Sequence, residues 1–169
     1  MTITIDERNE LEKIFQEFFH NERIQRMKLV PMHRGSNCFV HSFKVAKLAI
    51  KRALRHKYAD LKAILIAAIL HDYYLYDWRV DKDKRRKHLK DHPYIAVKNA
   101  EQDFEITEDI KKIIKSHMWP INIKQFPNSK EARIVTLADK SVAFKEAMCS
   151  KNYKRKREAK YLESISHLF

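Results

Sequence analysis

Apolar residues return at three- and four-residue steps along most of this chain, the spacing that lines one face of a helix. Over residues 6–20, Leu11, Ile14, Phe15, Phe18 and Phe19 form one such stripe. Asp6 is placed to cap it, with Asn9 rather than a glutamate at the capping-box position. Residues 22–31 predict a short helix ended by Pro31, and residues 33–37 a turn. A long helix over about 37–56 follows, with Cys38, His41, Val45 and Leu48 on one face. Residues 61–70 are almost wholly apolar and too few to span a bilayer, so they read as a core helix. Asp60 caps its start and His71-Asp72 closes its end.

Beyond that dipeptide lies an aromatic segment, residues 73–78, and then a mostly basic stretch, 81–88, expected to be a solvated loop. Asp91-His92-Pro93 predicts the next helix start, with proline at the first helical position. His92, Ile95, Ala96, Asn99 and Ala100 fall on one side of it. Thr107, Glu108 and Asp109 mark a further start, and Ile110, Ile113, Ile114, His117 and Met118 form its stripe, stopped at Trp119-Pro120. Residues 121–130 predict a loop. A helix follows over about 130–148, with Val135, Ala138, Asp139 and Val142 on its apolar face. In the last stretch, 151–169, a basic helix is expected to dock through Tyr161, Leu162, Ile165 and Leu168.

Composition sharpens this picture. With 169 residues the chain is long enough for one domain with a real core. Gly35 is its one glycine. Gly-rich phosphate loops and the Rossmann fingerprint are therefore excluded, and hairpin turns are disfavoured. The expected fold is all-α, a single compact bundle. A formal charge of +13 favours anionic partners. The two cysteines match no metal or redox spacing and fit a reduced, cytoplasmic chain. No signal peptide or membrane span is visible, so no membrane partner is expected.

Six polar residues sit against this pattern: His41, His71, Asp72, His92, His117 and Asp139. They come from five helical segments, each at a helix end or on an apolar face. One buried histidine, or an Asp–His pair, is satisfied by hydrogen bonds. Six such groups left unpaired would each cost several kcal/mol. Four imidazoles with two carboxylates are the donor set of Zn, Mn, Fe, Co or Ni, so a buried metal site is predicted.

The order His41 … His71-Asp72 … Asp139, with residues 37–42 and 137–140 around its ends, resembles the H…HD…D signature of the HD-domain superfamily of metal-dependent phosphohydrolases. The resemblance covers about residues 30–148, and residues 110–120 also look like a small group of uncharacterised bacterial HD proteins. His92 and His117 resemble the extra ligands of two-metal members, among them cyclic-dinucleotide phosphodiesterases and symmetrical dinucleoside tetraphosphatases. The resemblance implies one metal at His41, His71, Asp72 and Asp139 and a second at His92 and His117. Asp72 would bridge the two ions, commonly iron or manganese. Many members read HDxGK, with a lysine for phosphate; here residues 71–75 are His-Asp-Tyr-Tyr-Leu. His33, Arg34 and Lys140 are the nearest candidates to contact substrate phosphate instead. His88 would be an alternative ligand but is expected to be an exposed loop residue. Asp77 would orient the site or pack on the basic loop, and Cys38 belongs to the core.

Such a site implies hydrolysis of a phosphomonoester or phosphodiester of a nucleotide or small phosphorylated metabolite by a metal-activated hydroxide, with Asp72 and Asp139 as the catalytic carboxylates. The aromatic run offers a base-stacking wall or part of the core. The rival reading is a non-catalytic module that binds nucleic acid through residues 82–90 and 151–160, with structural metal; it predicts a steep loss of affinity with salt.

Overall fold

The computed structural model describes residues 3–32, 36–56, 59–79, 82–148, 163 and 165–169, with the backbone alone for 82–86. These residues form a helical bundle in the order α1 (Ile5–His20), α2 (Glu22–Gln25), a 3-10 turn (Arg26–Leu29), α3 (Cys38–Ala53), α4 (Leu61–Leu70), α5 (Lys82–Asp103), α6 (Glu108–Ser116) and α7 (Lys130–Met148). Among them the sole β feature is an isolated bridge between Pro31 and Asn37. No helix among the described residues is long and apolar enough to cross a membrane.

α4 is the axis of the bundle. Apolar except at the exposed Lys62, which pairs with Glu10, it has almost no face to give to water, and it touches α1, α3, α5, α6 and α7. α3 packs along it and along α7. The buried positions of α3 and α4 include Ala46, Ala49, Ala53, Ala63, Ala67 and Ala68, small side chains that let helix axes approach closely. Asp60 caps α4 as expected, its carboxylate accepting from the Ala63 N–H at 2.9 Å. Thr107 likewise caps α6 through the Ile110 N–H.

Four local expectations are corrected. Thr4, not Asp6, caps α1: its hydroxyl accepts from the Glu7 N–H at 3.1 Å while the Glu7 carboxylate accepts from the Thr4 N–H at 2.8 Å. Two reciprocal bonds outweigh the single one that Asp6 offers. The one helix expected over 22–31 is instead α2 tightening into the 3-10 turn, which ends at an extended Val30 because Pro31 excludes the residue before it from the helical region. The expected loop 81–88 is helical from Lys82 onward, since lysine and arginine are good helix formers. Pro93 accordingly lies inside α5 rather than at its start. The helix holds across it with the His92 ring against the preceding turn, Nδ1 donating to the His88 carbonyl at 2.7 Å.

At the C-terminus, Ile165 and Leu168 are buried with the core, and the Leu168 N–H donates to Glu12 of α1 at 3.0 Å. His33, Arg34 and the basic run of 151–160, with Tyr161 and Leu162, lie outside the described residues.

Candidate metal centre

Five helices deliver six side chains to one spot. His41 stands in the first turn of α3, held there by the Asn37 cap. His71 is the C-cap of α4 and Asp72 follows it. His92 projects from the middle of α5, His117 is the C-cap of α6, and Asp139 lies midway along α7. All six are buried.

Each imidazole is oriented by its Nδ1. His71 donates to the Ala68 carbonyl at 2.9 Å, His92 to His88 at 2.7 Å and His117 to Ile114 at 2.7 Å. His41 donates to the Glu146 carboxylate at 2.9 Å. A carbonyl only accepts, so those partners put the proton on Nδ1 and turn Nε2 inward. His41 Nε2 is 3.1 Å from Asp139 Oδ1 and 3.8 Å from Asp72 Oδ2. His71 Nε2 is 3.3 Å from Asp72 Oδ2 and 3.6 Å from Asp139 Oδ1. The other oxygen of Asp72, Oδ1, faces His92 Nε2 at 3.2 Å and His117 Nε2 at 3.7 Å. Asp72 thus stands between two histidine pairs.

The cluster is not satisfied by its own hydrogen bonds. His71 Nε2 is buried and, despite its nearness to two carboxylates, finds no hydrogen-bond partner among the described residues. His92 Nε2 and His117 Nε2 face each other at 2.9 Å. Both conditions suit a cation that accepts several lone pairs at once. Ligand atoms of His41, His71 and Asp72 lie within 4.8 Å of one another, as do those of Asp72, His92 and His117 and those of His71, His117 and Asp139. Imidazole nitrogens mixed with carboxylates fit a divalent transition metal, and the arrangement is compatible with one.

Electrostatics point the same way. Burial disfavours charge on His41, but hydrogen bonds to Asp139 and Glu146 raise its pKa to about 9. Burial opposes charge on His71 too, and Asp72 and Asp139 overcome it, so its pKa is also raised. Burial would raise both carboxyls; instead His71 holds Asp72, and His41 with His71 holds Asp139, well below the usual carboxylate range. His117 moves oppositely, driven to about 3 by burial and by His71 and His92. The two aspartates thus favour positive charge on His41 and His71, charge that a bound cation would supply instead.

The surroundings hold the ligands in place. Cys38 Sγ, buried as expected for a core cysteine, donates to the Asp72 carbonyl at 3.0 Å. Asn99 of α5 donates to the Tyr73 carbonyl at 3.0 Å, and the Tyr73 hydroxyl to Asp103 at 2.7 Å. Tyr73 and Tyr74 are core residues rather than a stacking wall. Leu75, at the place of the family's lysine, packs on the core with φ of 54°. Asp77 is engaged by Arg79 at 3.0 Å within the same loop.

His88 is corrected from exposed to buried. It stacks on Trp78 and on His92, with ring centroids 5.1 and 4.6 Å away, and its Nδ1 meets the Tyr76 hydroxyl at 2.9 Å. Lys140 is half-buried and donates to the His117 carbonyl at 3.0 Å; burial lowers its pKa. Sequence reasoning missed Glu146, which is buried in α7 and also accepts from Lys44 Nζ at 2.9 Å. Its signal was available: Asp139, Val142 and Glu146 continue one face at three- and four-residue steps.

These features define a helical protein with a buried histidine–aspartate cluster suited to divalent cations. The model of the HD domain family matches residues 38–143, more than half of the chain, and the chain belongs to that family. No curated protein and no solved structure matches it. The family is one of metal-dependent hydrolases, which the cluster's donor set fits.

Proposed function

We propose that this protein is a phosphohydrolase that cleaves a phosphomonoester or phosphodiester bond in a nucleotide or another small phosphorylated metabolite. The observation that carries this reading is the convergence of four imidazole Nε2 atoms and two carboxylates, with His71 Nε2 left without a hydrogen-bond partner among the described residues. His41, His71, Asp72 and Asp139 would hold one divalent cation, and His92, His117 and the second oxygen of Asp72 another, iron or manganese being the favoured pair. Bound there, the cations would lower the pKa of a water and offset charge on the phosphoryl oxygens.

The chain's own residues do the rest. Asp72, with one oxygen toward each histidine pair, ties the two halves together. Asp139 supplies the second carboxylate beside His41 and His71. Lys140 follows Asp139 and carries the cationic group closest in sequence to the cluster; swinging from the His117 carbonyl, it would meet a phosphate oxygen. A formal charge of +13 draws an anionic substrate toward the protein.

The test is a panel of phosphoesters offered to protein whose metal content has been measured. Metal-dependent release of phosphate or nucleotide is expected, falling more than about 100-fold in Asp72→Ala with the helical circular dichroism retained, a loss beyond that of removing an outer hydrogen-bond partner. Protein with full metal occupancy that is inert across the panel refutes the proposal.

A further inference from the structure

The four histidines are not held alike. His71, His92 and His117 give their Nδ1 protons to neutral backbone carbonyls. His41 gives its proton to a carboxylate, Glu146 Oε2, at 2.9 Å. Glu146 is buried in α7 and three residues beyond the stretch that matches the family model. Its other oxygen is engaged by Lys44 Nζ at 2.9 Å and approached by the Ser36 hydroxyl at 3.4 Å. The carboxylate is thereby pinned between α3 and α7, with one oxygen reserved for the His41 ring. A carboxylate behind an imidazole fixes its tautomer and orientation and makes its far nitrogen a stronger donor; a carbonyl does the first two and less of the third.

The two halves of the cluster differ in charge as well. Around His41 and His71 stand Asp72 Oδ2, Asp139 and, behind the ring, Glu146. Beside His92 and His117 the nearest carboxylate oxygen among the described residues is Asp72 Oδ1. Asp139, closer to His41 and His71, reaches within 4.8 Å of His117 alone of this pair. Cation affinity rises with ligand charge and with ligand pre-organisation, and both favour the first half.

Resting on the reading of this cluster as a metal centre, we infer that its halves take up divalent cations in order, the His41–His71–Asp72–Asp139 half before the His92–His117 half, and that Glu146 is the positioning residue that sets the order. The His92–His117 half is then the exchangeable one. Its occupancy, rather than that of the first half, follows the surrounding metal concentration.

The experiment is a titration of the full chain, stripped of metal, with Co(II), followed by calorimetry and by the visible ligand-field spectrum. Wild type is expected to bind in two separated steps. His92→Ala should abolish the second step and leave the first. Glu146→Gln, which keeps the shape and removes the charge, should weaken the first step by about tenfold or more, alter its spectrum and leave the second step in place. A first step unchanged in Glu146→Gln, or both steps weakened alike, overturns the inference. Absence of any Co(II) uptake by wild type instead overturns the metal-centre reading itself.

A measurement without substitution covers the case in which Glu146→Gln does not fold. In zinc-loaded wild type, the His41 Nδ1 proton should resonate farthest downfield of the four cluster imidazoles. A His41 proton lying among the other three refutes the role of Glu146.

Discussion

His92 and His117 present their Nε2 atoms to each other at 2.9 Å, after each ring has given its Nδ1 proton to a backbone carbonyl of its own helix. With the Nδ1 protons placed so, two Nε2 lone pairs meet head-on in a buried site, an arrangement that a cation between them would relieve. Asp72 Oδ1, 3.2 Å from His92 Nε2, adds negative charge to the same spot.

That arrangement predicts stabilisation by metal. Binding to the folded state alone adds about 2.7 kcal/mol when free metal is 100 times the dissociation constant. For a chain of this size the melting temperature should rise by roughly 5–10 °C on adding Mn(II) or Co(II) to stripped protein. Chelator should reverse the rise. An identical melting temperature with and without metal would contradict the site.

The metal-free protein should have a bounded pH range of stability. The pKa of His41 is raised from 6.5 to about 9, against burial, by Asp139 and Glu146. Its contribution is complete below pH 6.5 and disappears as pH rises through about 9. Glu146 is displaced the other way: burial would raise it, but His41 and Lys44 lower it from 4.5 to about 2. That contribution is complete above pH 4.5 and disappears as pH falls through about 2. His117, driven from 6.5 to about 3 by burial and by His71 and His92, likewise weakens the fold as pH falls below 6.5. Denaturant midpoints of the stripped protein should therefore be highest near pH 6.5 and decline on both sides. A midpoint still rising between pH 7 and 9 would disprove the His41 assignment.

Removing the reciprocal cap of α1 should affect stability and not chemistry, because α1 supplies no residue to the cluster. Thr4→Ala is expected to lower unfolding free energy by about 1 kcal/mol, read from urea denaturation, with metal uptake unchanged. A loss of metal binding in this variant would mean that α1 orders the site from a distance.

Much of this architecture was legible in the chain. Backbone geometry alone decides that residues three and four apart share a helix face, so the stripes of α1, α6 and α7 and the caps Asp60 and Thr107 could be read locally. The six cluster residues were legible for a related reason: a histidine or aspartate on an apolar stripe is conspicuous wherever the stripe is buried. The start of α5 was not, because a charged run reads as solvated surface whether it is loop or helix, although lysine and arginine are good helix formers and the helix does reach back to Lys82.

The stripe of α7 carries Glu146, one turn past Val142, on the same face as Asp139, but only the packing of α3 on α7 brings it to His41. Sequence by itself determined an all-helical chain carrying an H…HD…D order on inward faces. Tertiary structure alone decided that these faces meet at one point, that Asp72 stands between two histidine pairs, and that one histidine is backed by a carboxylate while three are backed by carbonyls. The reason is one of range: helix periodicity is set by neighbours within one turn, whereas the distance between two Nε2 atoms depends on how whole helices pack around α4.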